Sequence, residues 1–173
     1  MSELVLNLIL VVVLALAVVS DLRARRIPNM LTFPALAFGI LLNSAFSAVD
    51  GTGIDGLKSS GEGAALAMAV LLPLYVFKGM GAGDVKLMAA IGALKGPEFL
   101  IYTFAWAAIF GGGMAMLGLV RSRRVGLAFS HLVYFRFFPR PDGTFISVGR
   151  LPYAPAIALA ALLVLSGVRW VGH

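Results

Sequence analysis

The sequence predicts an all-α polytopic membrane protein with about six transmembrane helices and both termini outside the cytoplasm. Three observations carry that prediction. Of its 173 residues 60% are hydrophobic and the mean hydropathy is +0.96, a composition with no room for a separate soluble domain. The apolar residues fall into six blocks divided by polar gaps. Lys and Arg crowd into alternate gaps, the bias that orients membrane helices.

The blocks run roughly over residues 4–20, 30–49, 62–77, 84–94, 99–120 and 151–168. A helix rises 1.5 Å per residue, so about 20 residues cross a 30 Å hydrocarbon core. The first, second, fifth and sixth blocks meet that length once tilt and frayed ends are allowed. The N-terminus carries Glu3 and no basic residue before the first block, and no small-x-small site precedes Asp21. The block therefore reads as an uncleaved signal anchor with its N-terminus exported. The fourth block is short, about 16 Å at helical rise. It either extends through Lys95-Gly96-Pro97 or stays buried against neighbours, where broken helices are tolerated. Gly79, Gly81 and Gly83 before it predict a tight loop.

Orientation follows from the cations. Arg23, Arg25, Arg26, Lys78, Lys86, Arg121, Arg123, Arg124, Arg136, Arg140 and Arg150 fall on one side, with only Lys58, Lys95 and Arg169 on the other. Glu3, Asp50, Asp55, Glu62 and Glu98 reverse the bias, which places the three basic loops in the cytoplasm. Residues 1–173 read as a single transmembrane domain, and residues 121–150 within it as a cytoplasmic, interfacial basic loop. The aromatic stretch of that loop, with Arg136 and His131, suits anionic headgroups.

Composition also excludes classes of function. The formal charge of +6 is explained by topology, so no nucleic-acid partner is expected. The absence of cysteine removes disulfides, thiolate catalysis and Cys-ligated zinc. His131 and His173 are too few and too far apart in sequence for a metal centre, so no metal or organic cofactor is expected.

Two carboxylates stand out, because charge beside hydrocarbon is costly and is usually paired, hydrated or functional. Asp21 closes the first apolar run, and Asp84 opens the fourth. Both fall on the predicted cytoplasmic side. Two carboxylates held close together share one proton and titrate in coupled steps. The ionised member deprotonates a water while the protonated one polarises a carbonyl, which is metal-free peptide hydrolysis. Gly81 and Gly83 would let a substrate backbone approach. Each residue also has a plainer reading. Asp21 pairs with Arg25 as the chain leaves the bilayer, and Asp84 caps a helix. Arg23, Arg25 and Arg26 are topology signals, and Lys86 pairs with Asp84 or snorkels to headgroups.

In combination these residues form a more specific pattern. Asp21-Leu-Arg-Ala-Arg-Arg-Ile-Pro-Asn29 and Gly79-Met-Gly-Ala-Gly-Asp-Val-Lys-Leu87 resemble the two aspartate motifs of the type IV prepilin peptidase family. Leu151-Pro-Tyr-Ala-Pro-Ala-Ile-Ala158 is similar to the family's final-helix element, with Ala154 where glycine is usual. The resemblance implies an aspartic membrane endopeptidase of the bacterial cytoplasmic (inner) membrane that cuts short basic leaders from prepilin-like membrane proteins. It makes Asp21 and Asp84 the catalytic dyad, shaped by Gly81 and Gly83. Arg23, Arg26, Lys86 and Asn29 are candidates for orienting carboxylates or substrate. Larger members carry a cytoplasmic insertion with two Cys-x-x-Cys pairs, associated with zinc and N-methylation. Here there is no cysteine, and only eight residues separate Asp21 from Met30. The chain thus resembles the short branch serving Flp/Tad-type pili, without a methyltransferase role. A basic leader meeting basic loops is repelled, so recognition should rest on the precursor's apolar stem. A small proton-coupled transporter or channel is the alternative, though its carboxylates belong mid-span. A silent assembly factor is disfavoured by the intact aspartate pair.

Overall fold

The computed structural model describes residues 2–51, 54–76, 80–121 and 153–167. These form five helices and no strand: α1 Ser2–Ala24, α2 Asn29–Val49, α3 Asp55–Val76, α4 Ala82–Arg121 and α5 Ala154–Leu165. By length and composition α1, α2 and α3 are able to cross a membrane. The loop expected over residues 121–150 lies, apart from Arg121, outside the described residues, as do Lys78, Gly79 and both histidines.

Helix α1 contains neither Gly nor Pro and runs on to Ala24, which puts Asp21 in its last turn rather than beyond it. It ends where Arg25 turns left-handed (φ 50°) and its N–H donates to the Asp21 carbonyl at 2.8 Å, a cap more often given to glycine. Pro28 (φ −69°, ψ 142°) then re-aims the chain into α2. Helix α3 starts at Asp55, seven residues ahead of the apolar block at 62. Its first turns carry Asp55, Lys58 and Glu62 on an exposed face while Ser60 and Gly63 are buried, so average hydropathy hides them.

The fourth and fifth apolar blocks join in α4, broken at Gly96 (φ 81°, ψ 179°) before Pro97. Its first half is the centre of the bundle. Val85, Leu87, Met88, Ala89, Ala90, Ile91, Ala93 and Leu94 are each no more than 4% exposed, with α1, α2, α3 and α5 all packed against α4. The short block therefore lies against neighbours instead of facing lipid. Pro97 has no N–H for the carbonyl of Ala93. Asn43 on α2 supplies the missing donor: its Nδ2 reaches Ala93 O at 3.0 Å, Leu94 O at 3.1 Å and Gly39 O at 3.0 Å. An orphaned carbonyl in an apolar interior costs several kcal/mol on the order seen in lipid.

Three pairs of contacts fix the register. Helix α3 runs antiparallel to the first half of α4, with Ser59 against Gly96 and Gly63 against Gly92. The two backbones are so close that a Cβ on Gly63 would lie 2.1 Å from the Gly92 carbonyl oxygen. Helix α2 runs parallel to it, Asn29 meeting Lys86 and Asn43 meeting Ala93. Helix α1 is antiparallel, Glu3 pairing with Lys95 at one end while Asp21 faces Asp84 at the other. One end of the bundle therefore gathers Asp21, Asn29 and Asp84, and the other gathers Glu3, Lys95 and Gly96.

Candidate active site

Each aspartate is set by the way its helix ends. Asp21 is in the closing turn of α1 and is 6% exposed. One carboxylate oxygen, Oδ2, accepts the backbone N–H of Ala154 at 3.0 Å. That amide belongs to the first residue of α5, whose early N–H groups have no partner within the helix and favour negative charge. Pro155 follows directly and keeps α5 starting there.

Asp84 is 8% exposed and sits in the first turn of α4. The helix begins at Ala82, so Asp84 is its third residue and not its cap. Its carboxylate reaches back toward the backbone of Gly81, and its own N–H donates to the Gly81 carbonyl at 3.1 Å. This is one half of a capping box, an acid on the third helical residue turned back to the start of its helix, because Gly81 has no side chain to return the bond. Asp21 and Asp84 lie within electrostatic range of each other. Neither forms an ion pair among the described residues, although three arginines follow Asp21 in sequence.

The remaining candidates divide into two groups. Gly81, Gly83, Lys86 and Asn29 are brought to the carboxylates or to the joint between the two aspartate segments. A Cβ on Gly81 would stand 2.9 Å from Oδ2 of Asp84, so only glycine leaves that oxygen where it is. A Cβ on Gly83 would stand 3.0 Å from Cβ of Ile27, which is buried between the segments. Lys86 donates from Nζ to Oδ1 of Asn29 at 2.9 Å and lies 4.9 Å from the ring centre of Phe33. Pairing of Lys86 with Asp84 is thereby corrected. The lysine turns along α2, away from the carboxylate two residues back, which points to the other side of the helix. Arg23 and Arg26 are exposed and form no ion pair with either aspartate. Arg25 meets Asp21 only through the backbone.

Ala154, Ile27 and Phe33 were not legible as site residues. Ala154 acts through its main-chain N–H, for which no side chain is a marker; its place in the Leu151–Ala158 element, between Pro152 and Pro155, is the signal the sequence carries. Ile27 was readable only as part of Ile-Pro-Asn.

A type IV leader peptidase family profile matches residues 8–116, a stretch that takes in both aspartates. The chain belongs to that family. A prepilin leader peptidase/N-methyltransferase of Escherichia coli (strain K12) is 26% identical over 168 residues, covering 93% of this chain and 62% of the relative. A second prepilin leader peptidase/N-methyltransferase, from Aeromonas salmonicida (strain A449), is 37% identical over 111 residues, 56% of this chain and 35% of the relative. The chain thus spans less than two thirds of the length of either of these type IV leader peptidase relatives. No solved structure matches it.

Proposed function

We propose that the protein is an aspartic endopeptidase that removes the leader from type IV prepilins, with Asp21 and Asp84 as a water-activating pair. The observation that carries this reading is the meeting, at one end of an apolar bundle, of two buried carboxylates that form no ion pair among the described residues. Of the pair, the ionised carboxyl takes a proton from water, and the protonated one donates to the scissile carbonyl. Ala154 N–H holds the Asp21 carboxylate, and Gly81 leaves open the face of Asp84 from which a peptide arrives.

The finer assignment follows the same residues. Both halves of α4 and α5 join α1–α3 as six spans, with the aspartate end cytoplasmic in a bacterial inner membrane and the termini outside. The short Asp21-to-Met30 link and the absence of cysteine support the Flp/Tad branch without N-methylation. The deciding experiment is cleavage of a reconstituted prepilin, read by mass of the trimmed product. Asp21→Asn and Asp84→Asn should each lower the rate by roughly 10²–10⁴-fold or more while the protein inserts normally. Near-normal processing by either variant refutes the mechanism.

A further inference from the structure

One concave surface on the molecule is unused by this chemistry. It is a groove of about 240 Å³ between α3 and the two halves of α4, lined by apolar side chains that include Ala67, Val70, Leu71, Met88, Ile101 and Phe104. The floor is closed, with Ala67, Leu71 and Met88 each no more than 1% exposed. The rim is open, with Val70 42% and Ile101 56% exposed. It forms where α4 breaks at Gly96, since an unbroken helix would not bring Met88 and Phe104 to line the same space.

Its level relative to the carboxylates gives it meaning. Gly63 lies against Gly92 in an antiparallel pair. Eight residues further along α3, and eight back along α4, Leu71 comes to the level of Asp84. At 1.5 Å per residue, the groove then runs from that level toward the middle of the bundle. A polypeptide cut at Asp84 and anchored by an apolar helix sends that helix into the bilayer from the same level. We propose that the groove receives the apolar stem of the precursor, taking side chains from one face of its helix at three- to four-residue intervals. This rests on the peptidase reading above. A lipid tail also suits apolar walls, and its occupancy of the groove is the competing outcome of the test. The volume suits a few side chains rather than a whole helix: about 150 Å³ holds one benzene.

The natural absence of cysteine makes the test direct. Single cysteines at Val70 and Ile101, and at lipid-facing Leu8 and Leu159 as controls, are placed in the Asp84→Asn chain so that precursor stays intact. Oxidation in proteoliposomes with precursors carrying one cysteine along the stem should cross-link positions 70 and 101 with helical periodicity, and not 8 or 159. In the active chain, Val70→Trp and Ile101→Trp should raise KM for the anchored precursor roughly tenfold or more with kcat little changed, while Leu159→Trp changes neither. Equal cross-linking at all four positions, or unchanged KM in both groove variants, overturns the assignment and leaves the groove to lipid. Failure of the unmodified chain to cleave the precursor is a separate result. It refutes the peptidase reading, and this proposal with it.

Discussion

The Asp21 carboxylate accepts the backbone N–H of Ala154 at 3.0 Å in a buried position, across 133 residues of chain. The first amphipathic boundary of the protein is thus held by the start of its last helix, and α5 is part of the site rather than a distant anchor. Charged hydrogen bonds contribute about 1.5–3 kcal/mol. Ala154→Pro removes the donor, at a first-turn position where proline suits a helix. Prepilin cleavage should fall roughly ten- to hundredfold. Ala154→Gly keeps the N–H and should retain the activity. Equal loss in both variants would show that the methyl group, not the amide, matters.

Gly81 tests whether the Asp84 carboxylate has to keep its present position. An added methyl group would stand 2.9 Å from Oδ2, an atom at the free end of a side chain, so the carboxylate moves and the helix stays. Gly81→Ala should therefore lose most of its cleavage with the thermal midpoint of the detergent-solubilised protein little changed. Gly112, with nothing within 4 Å of its added Cβ, is the matched control, and Gly112→Ala should cleave normally. A Gly81→Ala enzyme of full activity would show that Asp84 tolerates displacement.

Lys86 and Asn29 tie the two aspartate segments together. Their 2.9 Å contact is on the outer part of the site and is supported by the Phe33 ring. Partial exposure limits its worth to about 1 kcal/mol. Lys86→Met and Asn29→Ala should each lower stability by that order, and the double variant by less than the sum. The same cycle run between Lys86 and Asp84 should show far smaller coupling. The reverse pattern would restore the ion pair that sequence proximity suggests.

What the sequence made legible follows from which groups carry a side-chain signal. Asp21 and Asp84 stood out because carboxylates are rare at the ends of apolar runs, whereas Gly96-Pro97, where α4 breaks, read as a stretch through which the short fourth block could extend. Helix α1 was visible from composition alone. The first turns of α3 were not, because Asp55, Lys58 and Glu62 occupy a face that the bundle leaves exposed. Asn43 gave no sign of its role, since it serves carbonyls about fifty residues away at the break in α4, one of which, that of Ala93, Pro97 deprives of a donor. The direction of Lys86 was equally hidden. Its nearest carboxylate in sequence, Asp84, sits buried two residues back on the other side of the helix, whereas Asn29 and Phe33 come from a helix whose register only the fold determines.

The last prediction concerns which way the bundle faces. Its ends differ in charge: Arg23, Arg25 and Arg26 follow Asp21 at one, while Glu3, Asp50 and Asp55 mark the other. Basic residues are retained in the cytoplasm during insertion, so the aspartate end should be inside. A basic leader on a nascent precursor is also cytoplasmic, and the carboxylates must meet it there. Ala24 and Ile54 are exposed, one at each end, in a chain without cysteine. Ala24→Cys should resist an impermeant maleimide in intact cells and react after lysis, while Ile54→Cys should react in spheroplasts from outside. Labelling of Ala24→Cys from the exterior would place Asp21 and Asp84 on the face opposite to a cytoplasmic leader, and the proposed cleavage would then have no route to its substrate.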